Sequence, residues 1–322
     1  MNVFRKLFAV LTAASLCAVC SSCAFFAPTD NKVSSENRTQ IVTTIFPAYD
    51  FARQITGEYA DVSMLVKPGT EIHNYEPTPA DIIKIGKCDV FICIGGESEE
   101  WVNGIIETSE NENMRVVRLM DAVSAREEEV VDGMQTDAEH EHDEDETEYD
   151  EHIWTSPKNA KLMVRNISEA VIASDPDNGD KIQKATDEYI KNLENLDRTF
   201  SNIAGSAKRR EIVFADRFPF LYFAKEYGLE YHAAFSGCGS DVEASASTVA
   251  FLIDLIKKDS IPAVFYIDLS NQKLADTVSE ETGAKKLLFH SCQNVSADEM
   301  KSGETYLSLM EKNAVNLREA LN

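Results

Sequence analysis

Positive charge is the scarcest commodity in this 322-residue chain. Lys and Arg number 31 against 55 Asp and Glu, a formal net charge of -24. That deficit excludes nucleic acid as a partner and excludes attachment to anionic lipid through charge. Between Glu127 and Glu151 there is no Lys or Arg among fourteen acids, so most of the imbalance is local. Catalytic signatures are also missing. There is no G-x-S-x-G elbow and no Walker A loop; "HEHDE" lacks the second histidine of HExxH. No D-x-[DN]-x-[DN]-G run occurs, which excludes an EF-hand. Long apolar runs are absent too. The run from Leu7 to Val19 is too short to span a bilayer comfortably, and small polar residues follow it.

What is present at the start reads as an export signal. Arg5 and Lys6 precede the apolar run, and "CSSCA" follows it. Cys23, preceded by Ser21 and Ser22, is the expected site of lipid attachment, with Cys20 as the alternative. Residues 1–23 are then a lipoprotein signal peptide and 24–39 a flexible tether. The chain is expected outside the cytoplasm, held by lipid to the outer face of the cytoplasmic membrane or in a periplasm. Export permits disulfides, and Cys238 and Cys292, both in loop-like stretches, form the attractive pair. Cys88 and Cys93 bracket an apolar strand and read as buried thiols.

The rest alternates strand and helix. Strands are predicted at 40–46, 60–66, "CDVFICIGG" and "MRVVRLM", with a helix capped by Thr78 and led by Pro79. After residue 207 the grammar repeats, with strands at 211–215, "EYHAAFS", 262–268 and "KKLLFH" and a terminal helix. Such alternation implies parallel βαβ units. Between the halves, Ile182, Tyr189, Ile190, Leu193, Leu196, Phe200 and Ile203 fall at helical spacing, which predicts one long rigid helix over 177–206. The fold class is therefore α/β: two lobes, each a parallel sheet flanked by helices, joined by that helix. The first lobe covers 40–176 and includes the acidic loop 127–151, whose composition predicts no fixed structure. The second lobe covers 207–322. A monomer is expected.

Histidines are few, and three share a context. His73 lies in a loop after a strand, His152 just before a helix, and His290 at a strand end. Loops at the C-terminal ends of parallel strands are where α/β lobes place ligands. His140 and His142 lie in the acidic run, and His232 in "YHAAF".

"VKPGTEIHNYEPTPADI", "DEHIWTSPKNA", "IPAVFYIDLS" and "ETGAKKLL" together resemble the solute-binding lipoproteins of bacterial zinc and manganese ABC importers, of the high-affinity zinc-uptake group. The resemblance runs from Gln40 to Leu321. It implies two lobes, a metal site in the cleft between them, and a membrane permease as partner. It places ligands at His73 and His152 and at or beside His290. The family's third histidine has no counterpart in "VFADRFPFLYF"; Asp216, a water or His232 would stand there. His140 and His142 would gather metal near the cleft mouth. Three imidazoles with one carboxylate suit Zn²⁺, whereas Mn²⁺ would prefer more carboxylates. Four closed ligands favour capture and delivery over catalysis, so no enzyme is expected. A zinc hydrolase with an open position and an adhesin-type lipoprotein are the competing classes. Three imidazole ligands also imply metal release as pH falls through about 6.5 to 5.

Overall fold

The computed structural model describes residues 38–70, 72, 75–135, 148–237 and 243–322. Cys23 with its signal peptide and most of the tether, and likewise His73, His140, His142 and Cys238, lie outside the described residues. Among the described residues no helix is long and apolar enough to cross a membrane.

Short β-branched runs supply the first sheet: β1 (Thr39–Thr43), β2 (Ala60–Met64), β3 (Val90–Cys93) and β4 (Arg115–Arg118). They lie in the order β2-β1-β3-β4, all parallel. The connections carry α1 (Phe46–Thr56), α2 (Pro79–Ile85) and α3 (Trp101–Thr108). The predicted start of α2 is realised in full. The Thr78 side chain accepts from the Asp81 amide, Asp81 answers to the Thr78 amide, and Pro79 fills the first turn. Two longer helices follow, α4 (Pro157–Ser174), capped by Ser156, and α5 (Gly179–Ser206). The second sheet consists of β5 (Glu211–Phe218), β6 (Glu230–Ser236), β7 (Ala263–Tyr266) and β8 (Lys285–Leu288), again parallel, in the order β6-β5-β7-β8. Its helices are α6 (Leu221–Tyr227), α7 (Ala246–Asp259) and α8 (Lys273–Thr282), and the chain ends through α9 (Ala297–Ser302) and α10 (Tyr306–Leu321).

The apolar stripe predicted for α5 is the one it buries, from Ile182 to Ile203. The helix is not free-standing, however. It packs against α1, α4 and α10, and one core cluster runs from Ile41 in β1 to Leu321 in α10 through both sheets. A stripe that continuous would be wet on a lone strut, and covering it is worth about 25 cal/mol per Å² of apolar surface.

The acidic segment departs from expectation at its flanks. Glu127 bridges Tyr149 in antiparallel fashion, and the Glu128 amide donates to Glu148 O at 3.0 Å. Gln135 pairs beside β6, its amide donating to Ala234 O at 2.9 Å, while Val131 and Met134 pack on the core. Charge density alone predicted an unstructured stretch throughout 127–151. The few apolar side chains within it are enough to dock residues 127–135.

Candidate metal centre

In a parallel sheet every strand ends on the same side, so four loops converge there. At that end of the first sheet lies a cavity of about 20 Å³. Thr44 reaches it from the end of β1, Tyr75 from the segment after β2, Glu99 from that after β3 and His152 from that after β4. Gln293, from the loop after β8 of the other half, completes the lining. Space of this size holds one water or one ion and excludes an organic solute.

His152 is 1% exposed and tightly positioned. Asp150 Oδ1 accepts from the His152 amide at 2.7 Å and lies 3.1 Å from its Nδ1. That carboxylate draws the ring proton to Nδ1 and leaves the lone pair on Nε2, the arrangement that orients an imidazole for a metal. Asp150 is held in turn from the second half, where Tyr222 O–H donates to Asp150 O at 2.7 Å. Gly237, just beyond β6, closes on the ring. A Cβ there would stand 3.2 Å from His152 Cε1 and Nδ1, so a side chain would crowd the imidazole.

Two further carboxyls back the cavity. Glu151 accepts from the Ser98 amide at 2.8 Å. Burial pushes the Glu99 carboxyl up to about 7, against the opposing pull of the Thr44 hydroxyl and the Gly95 amide, and the neighbouring Glu151 charge pushes the same way as burial.

The other expected ligands lie elsewhere. His290 is buried between Asp268 (3.3 Å to Nδ1) and Glu299 (3.4 Å to Nε2). Burial opposes charge on the ring, but the Asp268 carboxylate and the contact with Glu299 prevail and hold its pKa well above the usual range. Glu299 is correspondingly drawn down to about 2, chiefly by His290. His290 Nδ1 also accepts from the Cys292 amide at 2.9 Å, so the ring is engaged on that side by its own loop. Asp216 borders a separate cavity of about 300 Å³ with Ser270 and Lys273. Its Oδ1 accepts from the Arg217 amide and its Oδ2 from the Ile267 amide, so it braces the ends of β5 and β7. His232 points to Glu211 at 3.3 Å, on β6. Cys292 is wholly buried, while its expected partner Cys238 lies outside the described residues; Cys88 and Cys93 are buried free thiols as expected. Among the described residues no three His, Cys, Asp or Glu side chains converge on one point suited to a metal. The structure thus brings His152 to the cavity and leaves Asp216, His232 and His290 out of it.

Sequence reasoning passed over Gln293, Glu99 and the role of Asp150. In "HSCQN" the imidazole marks metal chemistry in the sequence, and an amide oxygen carries no such flag. Asp150 was legible in principle, as a carboxylate two residues before a candidate ligand.

Comparison with known proteins bears on the same chain length. Residues 41–320 match the family described as zinc-uptake complex component A, periplasmic. The high-affinity zinc uptake system protein ZnuA of Bacillus subtilis is 30% identical over 325 residues, covering 99% of each chain. The zinc-binding lipoprotein AdcA of Streptococcus pneumoniae is 31% identical over 311 residues, 96% of this chain; the match spans only 60% of that relative's length. Among solved structures, the Zn(II)-bound ZnuA-like domain of Streptococcus pneumoniae AdcA superposes with a TM-score of 0.73 at 30% identity, covering 88% of this chain and 99% of that one. The metal-dependent lipoprotein YcdH from Bacillus subtilis gives 0.75 at 29% identity, covering 88% and 100%. With two parallel four-stranded sheets, a long helix between them and a match across nearly the whole described chain, the protein belongs to the family of periplasmic A components of zinc-uptake complexes.

Proposed function

We propose that this chain captures a single zinc ion outside the cytoplasm and delivers it to the membrane permease of an ABC importer. The observation that carries the reading is the ion-sized cavity where His152, oriented by Asp150, meets Gln293 from the opposite half. His73 is the second imidazole in this proposal, because it follows β2 by a few residues and Tyr75 of the same segment lines the cavity. A site of two imidazoles with an oxygen donor suits Zn²⁺, and Mn²⁺ less well. Gln293 supplies a neutral oxygen from the loop after β8, where the sequence places a ligand at or beside His290. The same cavity leaves no room for an ester or peptide, which weighs against a zinc hydrolase. The anchor at Cys23, the monomeric state and metal gathering by His140 and His142 belong to the same reading. The lobe boundaries 40–176, 177–206 and 207–322 belong to it as well.

Competition titration with a zinc chelator tests it. One tight site is expected in the mature chain, weakened by at least about a hundredfold in His152→Ala and in His73→Ala. Unchanged affinity in both variants refutes the site.

A further inference from the structure

The second half carries a cavity that zinc capture does not use. In a parallel sheet whose second and third strands flank the first, a crevice opens between the first and third, because their loops leave in opposite directions. In the first sheet that point lies between β1 and β3, and Thr44 and Glu99, which follow those strands, line the ion-sized cavity. In the second sheet the equivalent point lies between β5 and β7. The cavity there is about 300 Å³, against about 20 Å³ in the first half. Small-molecule sites begin at about 300 Å³, so the second crevice has room for an organic solute where the first admits an ion.

The chain leaves regular structure on both sides of this space. β5 bulges against β6 between Phe214 and Arg217, a device that re-aims side chains beside ligand sites. β5 and β7 pair through Phe214 and Phe265; just beyond, Asp216 Oδ2 accepts from the Ile267 amide at 3.2 Å. Across the cavity, Leu269 and Gln272 hold φ 58° and 62°, a conformation that L residues keep only where their surroundings impose it. Ser270 Oγ accepts from the Gln272 amide at 3.1 Å and Asn271 Oδ1 from the Lys273 amide at 3.0 Å, so the loop is fixed in that shape.

Both signs of charge border the cavity: Asp216 and Arg217 from β5, and Lys273 from the start of α8. Phe235, Val249 and Leu274 form an apolar wall. A carboxylate offers about four lone-pair sites. Asp216 gives one each to the Arg217 amide, the Ile267 amide and the Ser270 hydroxyl, and keeps one. Burial pushes its carboxyl up despite those donors, a cost that an ammonium group beside it would offset. Arg217 and Lys273 are the complement of a carboxylate. We propose that this cavity binds a free α-amino acid, its ammonium on Asp216, its carboxylate toward Arg217 and Lys273, and its side chain against Phe235 and Val249. The site is separate from the zinc cavity and does not depend on it.

Equilibrium dialysis of the mature chain, with and without zinc, against each of the standard L-amino acids tests this. At least one should bind one-to-one with a Kd below about 1 mM in both forms. Its amine and carboxylic acid analogues, each lacking one charged group, should bind at least about tenfold more weakly. Val249→Trp, which fills the cavity, and Lys273→Met, at an exposed position, should each weaken binding at least about tenfold while zinc affinity stays within about twofold. Lys273→Met guards against a folding failure in Val249→Trp. The proposal is overturned if no amino acid binds, if a folded variant binds as the parent does, or if an amine or acid binds as tightly as its amino acid. Zinc titration of the same samples reports on the proposed function separately.

Discussion

At residue scale Asp150 fixes the His152 ring, its Oδ1 lying 3.1 Å from Nδ1. Replacing it by Asn keeps the shape and surrenders the charge. Asp150→Asn should weaken zinc binding by about ten- to a hundredfold, measured by chelator competition, with little change in the fold. Glu99 makes a different prediction. Its folded pKa of about 7 lies above the ordinary value of 4.5, so folding favours its protonated form. The associated stability is complete below about pH 4.5 and is lost as pH rises through about 7, a change on the order of 3 kcal/mol. Glu99→Gln should flatten that decline in a series of thermal melts, and a profile identical to the parent would show that folding leaves the Glu99 pKa unshifted. Glu299 works in the opposite sense. Its carboxyl is held at about 2 by His290, so its contribution is present above 4.5 and fades as pH falls toward 2.

Among the elements, helix starts were the most legible. Thr78, Ser156 and Ser245 each cap a helix by accepting from the amide three residues on, a purely local event. The stripe of α5 was legible because its period is local as well. What the stripe packs against was not, since that depends on α1, α4 and α10 meeting over long sequence separations. The docking of the acidic segment's first flank is not legible for the same reason: Gln135 pairs beside Phe235, far along the chain. The expected deletion tolerance is accordingly narrower than charge suggests. Replacing residues 136–147 with a short Gly-Ser link should leave melting temperature and zinc affinity within error. Extending the cut back through Glu127 removes the Gln135 pairing and the Lys225–Glu129 bridge at 2.7 Å, and should lower the melting temperature by several degrees.

At the level of the whole molecule the two sheets share one core, and their polar links are buried. Asp50 in α1, fully buried, accepts from the Tyr306 amide at 2.8 Å and so caps α10 across the fold. It also accepts from Arg53 at 3.0 Å. Tyr306 O–H donates to Trp154 O at 2.7 Å, and Trp154 Nε1 donates to Ser291 O at 2.8 Å. Calorimetry should therefore show a single unfolding transition, and Asp50→Ala should cost about 2–4 kcal/mol without splitting it. Two resolved transitions would mean that the halves unfold independently. The sheet orders add one more consequence. In each half the second strand lies outermost, then the first, third and fourth. The cavity takes Tyr75 from the segment after β2 and His152 from that after β4, while Gly237 follows β6 and Gln293 follows β8. Corresponding loops of the two halves thus meet around the His152 cavity. Because loops of both halves reach it, any shift of one sheet against the other would change the shape of that cavity.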